Sequence, residues 1–300
     1  MPDVGRATFI KSFSRMKKTS SLVYIYKNFF RLVLIVVLPA LFLALFRSDY
    51  VVSDFFVNFA KNTEDFRIVD FYGDVFKYFS FINFDSAGGF IGWFVSALIA
   101  IVGLGALYSA VERHMRLGVP VSFRLGSLVN DSLVIVLPFA AVAFFSCELL
   151  GLVTSGIICL LFLIIKSKIA LFIVCLILVI AIYVAYCAFF VLICLSVPAS
   201  LIDGYSFNYS AATSINLVKN ALKRIYGAIA IPLVITVAVI ALFKPLISLA
   251  SPAAEGILST IGWTVVHAGW MIYFPVLTIK YYMFLTGMER EDMGFGIRRK

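Results

Sequence analysis

Three observations predict an all-α, polytopic transmembrane helix bundle of about six spans with amphipathic interfacial helices. First, 62% of the 300 residues are hydrophobic and 14% charged, with a mean hydropathy of +1.04. Soluble domains carry about 25% charged residues, and halving that share leaves apolar surface facing water. Second, apolar stretches recur at the length of roughly 20 residues that a helix needs to cross a hydrocarbon core about 30 Å thick. Third, the 25 Lys and Arg residues, against 16 Asp and Glu, sit between those stretches. The net charge of +9 therefore reads as loop charge that orients a membrane protein, and no nucleic-acid partner is implied.

Residues 1–28 form a basic head. Phe9, Ile10, Phe13 and Met16 recur at helical spacing, with Lys11, Arg15, Lys17 and Lys18 largely on other faces. Such a segment can lie flat on anionic lipid headgroups; the alternative is a disordered basic tail that only sets orientation. The head is long and no small-residue cleavage site follows the next apolar run, so a retained segment is expected and not a removed secretory signal.

The spans are expected at about Phe29–Phe46, closed by Arg31 and Arg47 and kinked at Pro39, then Gly89–Val111, Leu128–Leu150, Ile169–Val197, Tyr226–Phe243 and Ile257–Leu285. Leu152–Ile165 is ambiguous, because an apolar run of that length suits a re-entrant or interfacial segment better than a crossing. Charge decides the count. With six spans, the N-terminus, the 112–126 loop, the 199–225 segment and the C-terminus share a side holding eighteen of the basic residues, against seven opposite. A seventh crossing would carry Lys219, Lys223, Arg224 and the basic 289–300 tail outside. The positive-inside rule thus selects a six-span membrane domain over 29–288 with both termini cytoplasmic.

The 47–88 insert holds four basic and seven acidic residues, which suits the extracytoplasmic side. Phe71, Tyr72, Phe76 and Phe79 recur at roughly helical spacing beside Asp70 and Asp74, predicting one or two short helices against the membrane surface or capping the bundle; a surface for a membrane-protein partner is the alternative. On the second span Gly88, Gly92, Ser96 and Ala100, continued by Gly103, Gly105 and Ala106, keep one face small, and intramolecular helix packing is the expected use. Pro138, Pro198, Pro232 and Pro275 interrupt further spans and free carbonyls that neighbours must satisfy. Between the fourth and fifth spans, Ala211, Ile215, Val218, Leu222 and Ile225 oppose Asn216, Lys219, Asn220, Lys223 and Arg224. That pattern predicts an interfacial helix whose Lys219, Lys223 and Arg224 meet lipid headgroups.

Familiar catalytic patterns are missing: no HExxH, GxxxxGK[ST], GxSxG or paired CxxC occurs, and no cofactor or metal is implied. Cys147, Cys159, Cys175, Cys187 and Cys194 sit in apolar runs and read as buried thiols. Ionisable groups at membrane depth are the remaining site candidates. Trp263, His267, Trp270 and Met271 lie along one helix face, so Trp263, His267 and Trp270 could line a site for a cationic lipid head, or simply form an aromatic belt. Asp131 and Glu148 bracket the third span about 26 Å apart, too far for an acid–base pair. Asp131 has Arg113, Arg116 and Arg124 as candidate partners.

The order of these parts resembles a bacterial family of six-span membrane domains related to the membrane portion of certain glycerophosphodiester phosphodiesterases. Val111-Glu-Arg-His-Met-Arg-Leu-Gly118 after the second span carries the resemblance, together with Val197-Pro-Ala-Ser-Leu-Ile-Asp203 after the fourth. The Ala212–Arg224 amphipathic run before Tyr226-Gly227 joins them. The resemblance implies architecture and not enzymatic activity. The function expected is that of a non-enzymatic accessory or lipid-interacting component of a bacterial cytoplasmic membrane. A transporter, or the membrane subunit of one, with a cavity between proline-kinked helices is the alternative. A membrane-embedded enzyme would need polar groups converging at one depth.

Overall fold

A computed structural model describes residues 20–46, 75–76, 79–80, 86–122, 131–247, 249 and 251–288. Lys11, Arg15, Lys17 and Lys18, Arg124 and the 289–300 tail lie outside the described residues. The described elements are α1 (Ser20–Leu45), α2 (Ala87–Leu117), a π-helical turn (Asp131–Val136) running into α3 (Leu137–Ile164), and α4 (Lys168–Ile193). They continue with α5 (Ser196–Asp203), α6 (Phe207–Lys219), α7 (Leu222–Ile247) and α8 (Pro252–Thr286). Six stretches are long and apolar enough to cross a membrane: 21–45, 87–117, 131–164, 168–203, 222–240 and 254–286. The fold is an all-α bundle, and the chain is a multi-pass membrane protein.

Side-chain contacts set the register. Phe46 packs over Gly92, Pro39 over Gly103, and Tyr24 against His114, so α1 and α2 run antiparallel. Met271 near Gly103 and Thr278 at Tyr108 place α8 parallel to α2. Trp93 meets Phe144 and Gly105 meets Ser132, which sets α3 antiparallel to α2. Tyr186 donates to the Ala143 carbonyl at 2.7 Å between α3 and α4, and Tyr273 to the Ala228 carbonyl at 2.7 Å between α7 and α8. The start of α1 and the end of α8 therefore meet at one end of the bundle, where Lys280 Nζ donates to Ser21 Oγ at 3.4 Å.

The central stripe of α1 is Tyr24, Leu32, Val36, Ala40 and Ala44, all buried and spaced by multiples of four. It forms an i±4 ridge toward α2 and α8. Tyr26, Phe30, Leu34 and Leu38 on the other side are exposed, as lipid-facing residues must be. The small face of α2 serves intramolecular packing as its pattern predicts: a Cβ on Gly103 would stand 2.6 Å from Pro39 Cγ, and one on Gly105 2.7 Å from Ser132 Cα. Ser96 and Ala100, one and two turns earlier on α2, are buried.

Two segments differ from the expectation drawn from sequence. Leu152–Ile165 is not a separate segment: its residues through Ile164 are the second half of α3. Nothing from Phe139 onward breaks the helix until Lys166-Ser-Lys168, and Glu148 does not end it because the Ser80 hydroxyl donates to its carboxylate at 2.9 Å. Gly151 lets the Phe79 carbonyl lie directly on the helix. By the α2–α3 register, α3 continues about 20 Å past the start of α2. There it folds back through Ser167, which caps α4. Val75 and Phe79 pack on this hairpin with Ile158, Leu171, Cys175 and Val179.

The amphipathic run before the fifth span is also not one helix. It divides at Asn220–Ala221 into α6 and the start of α7. The buried face of α6 is Ser210, Ser214 and Val218, because this helix has a polar duty. The backbone breaks at Cys194–Leu195 between α4 and α5, and Ser214 bridges it. Its hydroxyl donates to the Leu192 carbonyl at 2.7 Å and accepts from the Leu195 N–H at 3.1 Å. A broken helix at membrane depth requires such replacement partners.

Candidate functional site

The end of the bundle where α1 begins and α2 and α8 finish gathers polar side chains at one depth. Thr278, Lys280 and Tyr282 all lie within nine residues of the αL cap Gly287, and Tyr108, Ser109, Glu112 and His114 within ten of the αL cap Gly118. That depth is about 15 Å of helix at most. Glycine serves at both caps because φ is 71° and 72°, a region that a Cβ disfavours. Pro138 explains why Asp131 points into this region. The proline cannot donate to the carbonyl four residues back, so the preceding turn widens into the π-helix that carries Asp131 and Ser132.

The groups are linked pairwise across helices. Thr278 donates to the Phe274 carbonyl at 2.9 Å, so Tyr108 is the donor in its 3.1 Å bond to Thr278 Oγ1, and both residues are buried. Ser109 donates to Asp131, joining α2 to the π-turn, and Ser132 donates to the Val102 carbonyl at 3.3 Å. Tyr282 donates to Asp203, joining α8 to α5. The Ser200 hydroxyl bonds Ser210 at 2.7 Å, joining α5 to α6. Arg116 reaches back one turn to pair with Glu112 Oε1, in a contact whose angle is not that of a hydrogen bond. Arg113 and Asp131 are near enough for their charges to act on Glu112 as well. Asp131 takes Ser109 as its partner and not the arginines expected from sequence: Arg116 pairs with Glu112, and Arg124 lies outside the described residues.

Glu112 and Lys280 are 4% and 2% exposed. Buried charges of this kind are uncommon and need partners. His114 Nδ1 lies 3.0 Å from the Val119 carbonyl, which can only accept, so Nδ1 carries the proton and Nε2 is the open nitrogen. Tyr24, 7% exposed, sets its ring edge-on to His114 at 5.5 Å, and its hydroxyl has no hydrogen-bond partner. Around this interior the cations Lys27, Arg31, Arg116, Lys219, Lys223 and Arg224 are exposed.

Of the residues singled out from sequence, Lys219, Lys223 and Arg224 fall at this end, on either side of the α6–α7 turn. Trp263 and His267 stack at 5.7 Å and 29° in the first half of α8, away from this end. Trp270 turns to α7, donating from Nε1 to Thr236 Oγ1 at 3.2 Å and meeting Tyr273 edge-on. The structure thus joins Trp263 to His267 and ties Trp270 to a neighbouring helix. Tyr24, Tyr108, Glu112, Asp203, Lys280 and Tyr282 went unnoticed as a group. The available signals were Lys280 inside the last apolar run and the i, i+4 spacing of Tyr108 and Glu112. Among the described residues no three His, Cys, Asp or Glu side chains cluster as metal ligands would.

Comparison with protein-family models, with curated proteins and with solved structures gives no match for this chain. What the geometry itself defines is a multi-pass helical membrane protein with a polar, hydrogen-bonded core at one end.

Proposed function

We propose that this chain is a non-enzymatic, lipid-interacting accessory component of a bacterial cytoplasmic membrane, with the polar end of the bundle and both chain ends toward the cytoplasm. The observation that carries the reading is the division of labour at that end. The carboxylates Asp131, Asp203 and Glu112 are each engaged by Ser109, Tyr282 and Arg116. They act as clamps between or along helices. The exposed cations, Lys219, Lys223 and Arg224 among them, surround the clamps at headgroup level, where each favours anionic lipid by about 1 kcal/mol. Prolines support the same reading over a transporter: Pro39 fills the space above Gly103, and the Ala228 carbonyl, which Pro232 four residues on cannot bond, accepts from the Tyr273 hydroxyl at 2.7 Å. Membership in the six-span family named above is part of this proposal. It is supported by the two motifs that carry the resemblance packing together, the end of α2 against α5.

Native mass spectrometry of the protein released from nanodiscs tests the reading. Retained anionic phospholipid, and higher thermal stability on adding phosphatidylglycerol than phosphatidylcholine, are expected. No retained lipid together with unchanged stability would overturn it.

A further inference from the structure

The α3–α4 hairpin reaches further than the helices beside it. The exposed Arg31 of α1 stands seven residues after Tyr24, which meets His114, and so is level with about Leu107 of α2. A hydrocarbon core about 30 Å thick, or roughly 20 helical residues, that begins at that level ends near Ala87. Two acidic residues mark the same height. Glu148 lies one turn past Phe144, which meets Trp93, and Glu255 comes sixteen residues before Met271, as Ala87 comes sixteen before Gly103. Residues 151–164 of α3, and the first turns of α4 that run back beside them, extend past this level.

That outer part is apolar on both sides. On one arc of the two helices Ile158, Leu171, Cys175 and Val179 are buried, where Val75 and Phe79 pack. On the opposite arc ten aliphatic side chains between Leu152 and Ile177 stay at least about a third exposed, and Leu160, Leu163, Ile164, Ile169, Ile173 and Ile177 range from 49 to 76%. Thr154 and Ser155 are buried and donate to carbonyls of their own helix, so neither gives the exposed arc a polar surface. No charged residue lies between Glu148 and Lys166, or between Lys168 and Asp203. Helices that are apolar all round are buried ones, and a contiguous exposed patch of more than a few hundred Å² marks a contact surface.

We infer that this arc of the hairpin lies outside the hydrocarbon and is where two copies of the chain meet, four helices from two hairpins closing into one bundle. Copies inserted the same way hold their hairpins at one height and in one direction, so identical faces meet about an axis along the membrane normal. Four packed helices enclose a core. Ten aliphatic side chains from each copy supply one on the scale of a standard interface, about 800 Å² a side. The arc carries no charge to repel its equal, and Lys166 and Lys168 sit at the hairpin tip, on the rim of such a joint. The inference goes beyond the lipid reading and does not depend on it.

Light scattering of the full chain in detergent should find two chains of 33.3 kDa per particle. In a variant lacking the native cysteines, reconstituted at high lipid-to-protein ratio, Leu163→Cys and Ile177→Cys should be joined between copies by a short bismaleimide. Leu34→Cys, exposed on the lipid-facing side of α1, should give at least tenfold less product. A chain carrying Leu160→Glu, Leu163→Glu and Ile173→Glu changes only exposed residues, so its unfolding midpoint in detergent should stay. Its carboxylates would be buried at the joint, so the particle should fall to one chain and the Ile177→Cys product at least tenfold. If detergent alone separates the parent chains, cross-linking in the membrane decides. No product at Leu163→Cys and Ile177→Cys overturns the inference, as does equal product at Leu34→Cys, which is random collision. A triple variant that stays paired puts the joint elsewhere, and one that no longer inserts puts these residues in hydrocarbon, where a carboxylate is costly; either result overturns it.

Discussion

Replacing Gly105 by Ala perturbs the joint between α2 and the π-turn, and the structure sets the size of the effect. The added Cβ would stand 2.7 Å from Ser132 Cα, a backbone atom that no rotamer change can move. Carbon atoms need about 3.5 Å, so the π-turn must retreat by roughly 0.8 Å. That shift stretches the Ser132 bond to the Val102 carbonyl, already 3.3 Å, and draws Asp131 away from Ser109. Overpacking a tight contact costs about 1–3 kcal/mol, and a hydrogen bond within a membrane is worth about 0.6 kcal/mol. Against this, Ala in place of Gly in a helix gains about 0.5–1 kcal/mol. The net expectation is a loss of about 2 kcal/mol. Gly156→Ala on α3 is the control: no atom lies within 4 Å of its Cβ position, so only the helix gain applies. Unfolding by sodium dodecyl sulfate titration from mixed micelles, followed by circular dichroism, measures both. Gly105→Ala should unfold at clearly lower detergent fraction than the parent, and Gly156→Ala at an equal or higher one. Matching midpoints for the two variants would refute the close approach of α2 to the π-turn.

Tyr282→Phe should lower stability by about 1–2 kcal/mol by releasing Asp203, while Asp203→Asn, which still accepts from the tyrosine, should lose less; the same titration measures both. Gly151→Ala should push Phe79 off α3 and expose Cys175, now 1% accessible, raising its maleimide labelling rate about tenfold. Cys147 and Cys187 lie four residues and one residue from the Ala143–Tyr186 bond that joins α3 to α4, and both are half-buried. A short bifunctional thiol reagent should therefore link 147 to 187 and give no 147–175 product in peptide mapping.

The crossings were legible because hydrocarbon thickness imposes a length on any apolar helix. The stacking of Trp263 on His267 was legible for a related reason: neighbours at i, i+4 share a face whatever surrounds them. Length misled where one helix is longer than a crossing needs. The rule counts separate apolar runs, and Leu152–Ile164 is the unbroken second half of α3. The α6–α7 division was hidden because Asn220–Ala221 carries no proline or glycine, and the turn is imposed by Ser214 docking on the α4–α5 break. The polar core was illegible for a deeper reason. Tyr24, Glu112, Asp203 and Lys280 stand far apart in the chain, each reading as an end-of-span residue, and only the packing of α1, α2, α5 and α8 makes them neighbours.

Sidedness of single cysteines tests the central claim, an even number of crossings that returns both ends of the chain to one face. In a variant lacking the native cysteines, Ser167→Cys in the α3–α4 turn should react with a membrane-impermeant maleimide in intact cells. Ser206→Cys between α5 and α6 and Met288→Cys after α8 should react only in inverted vesicles. Labelling of Ser206→Cys and Met288→Cys from opposite faces, or of either in intact cells, would contradict the account.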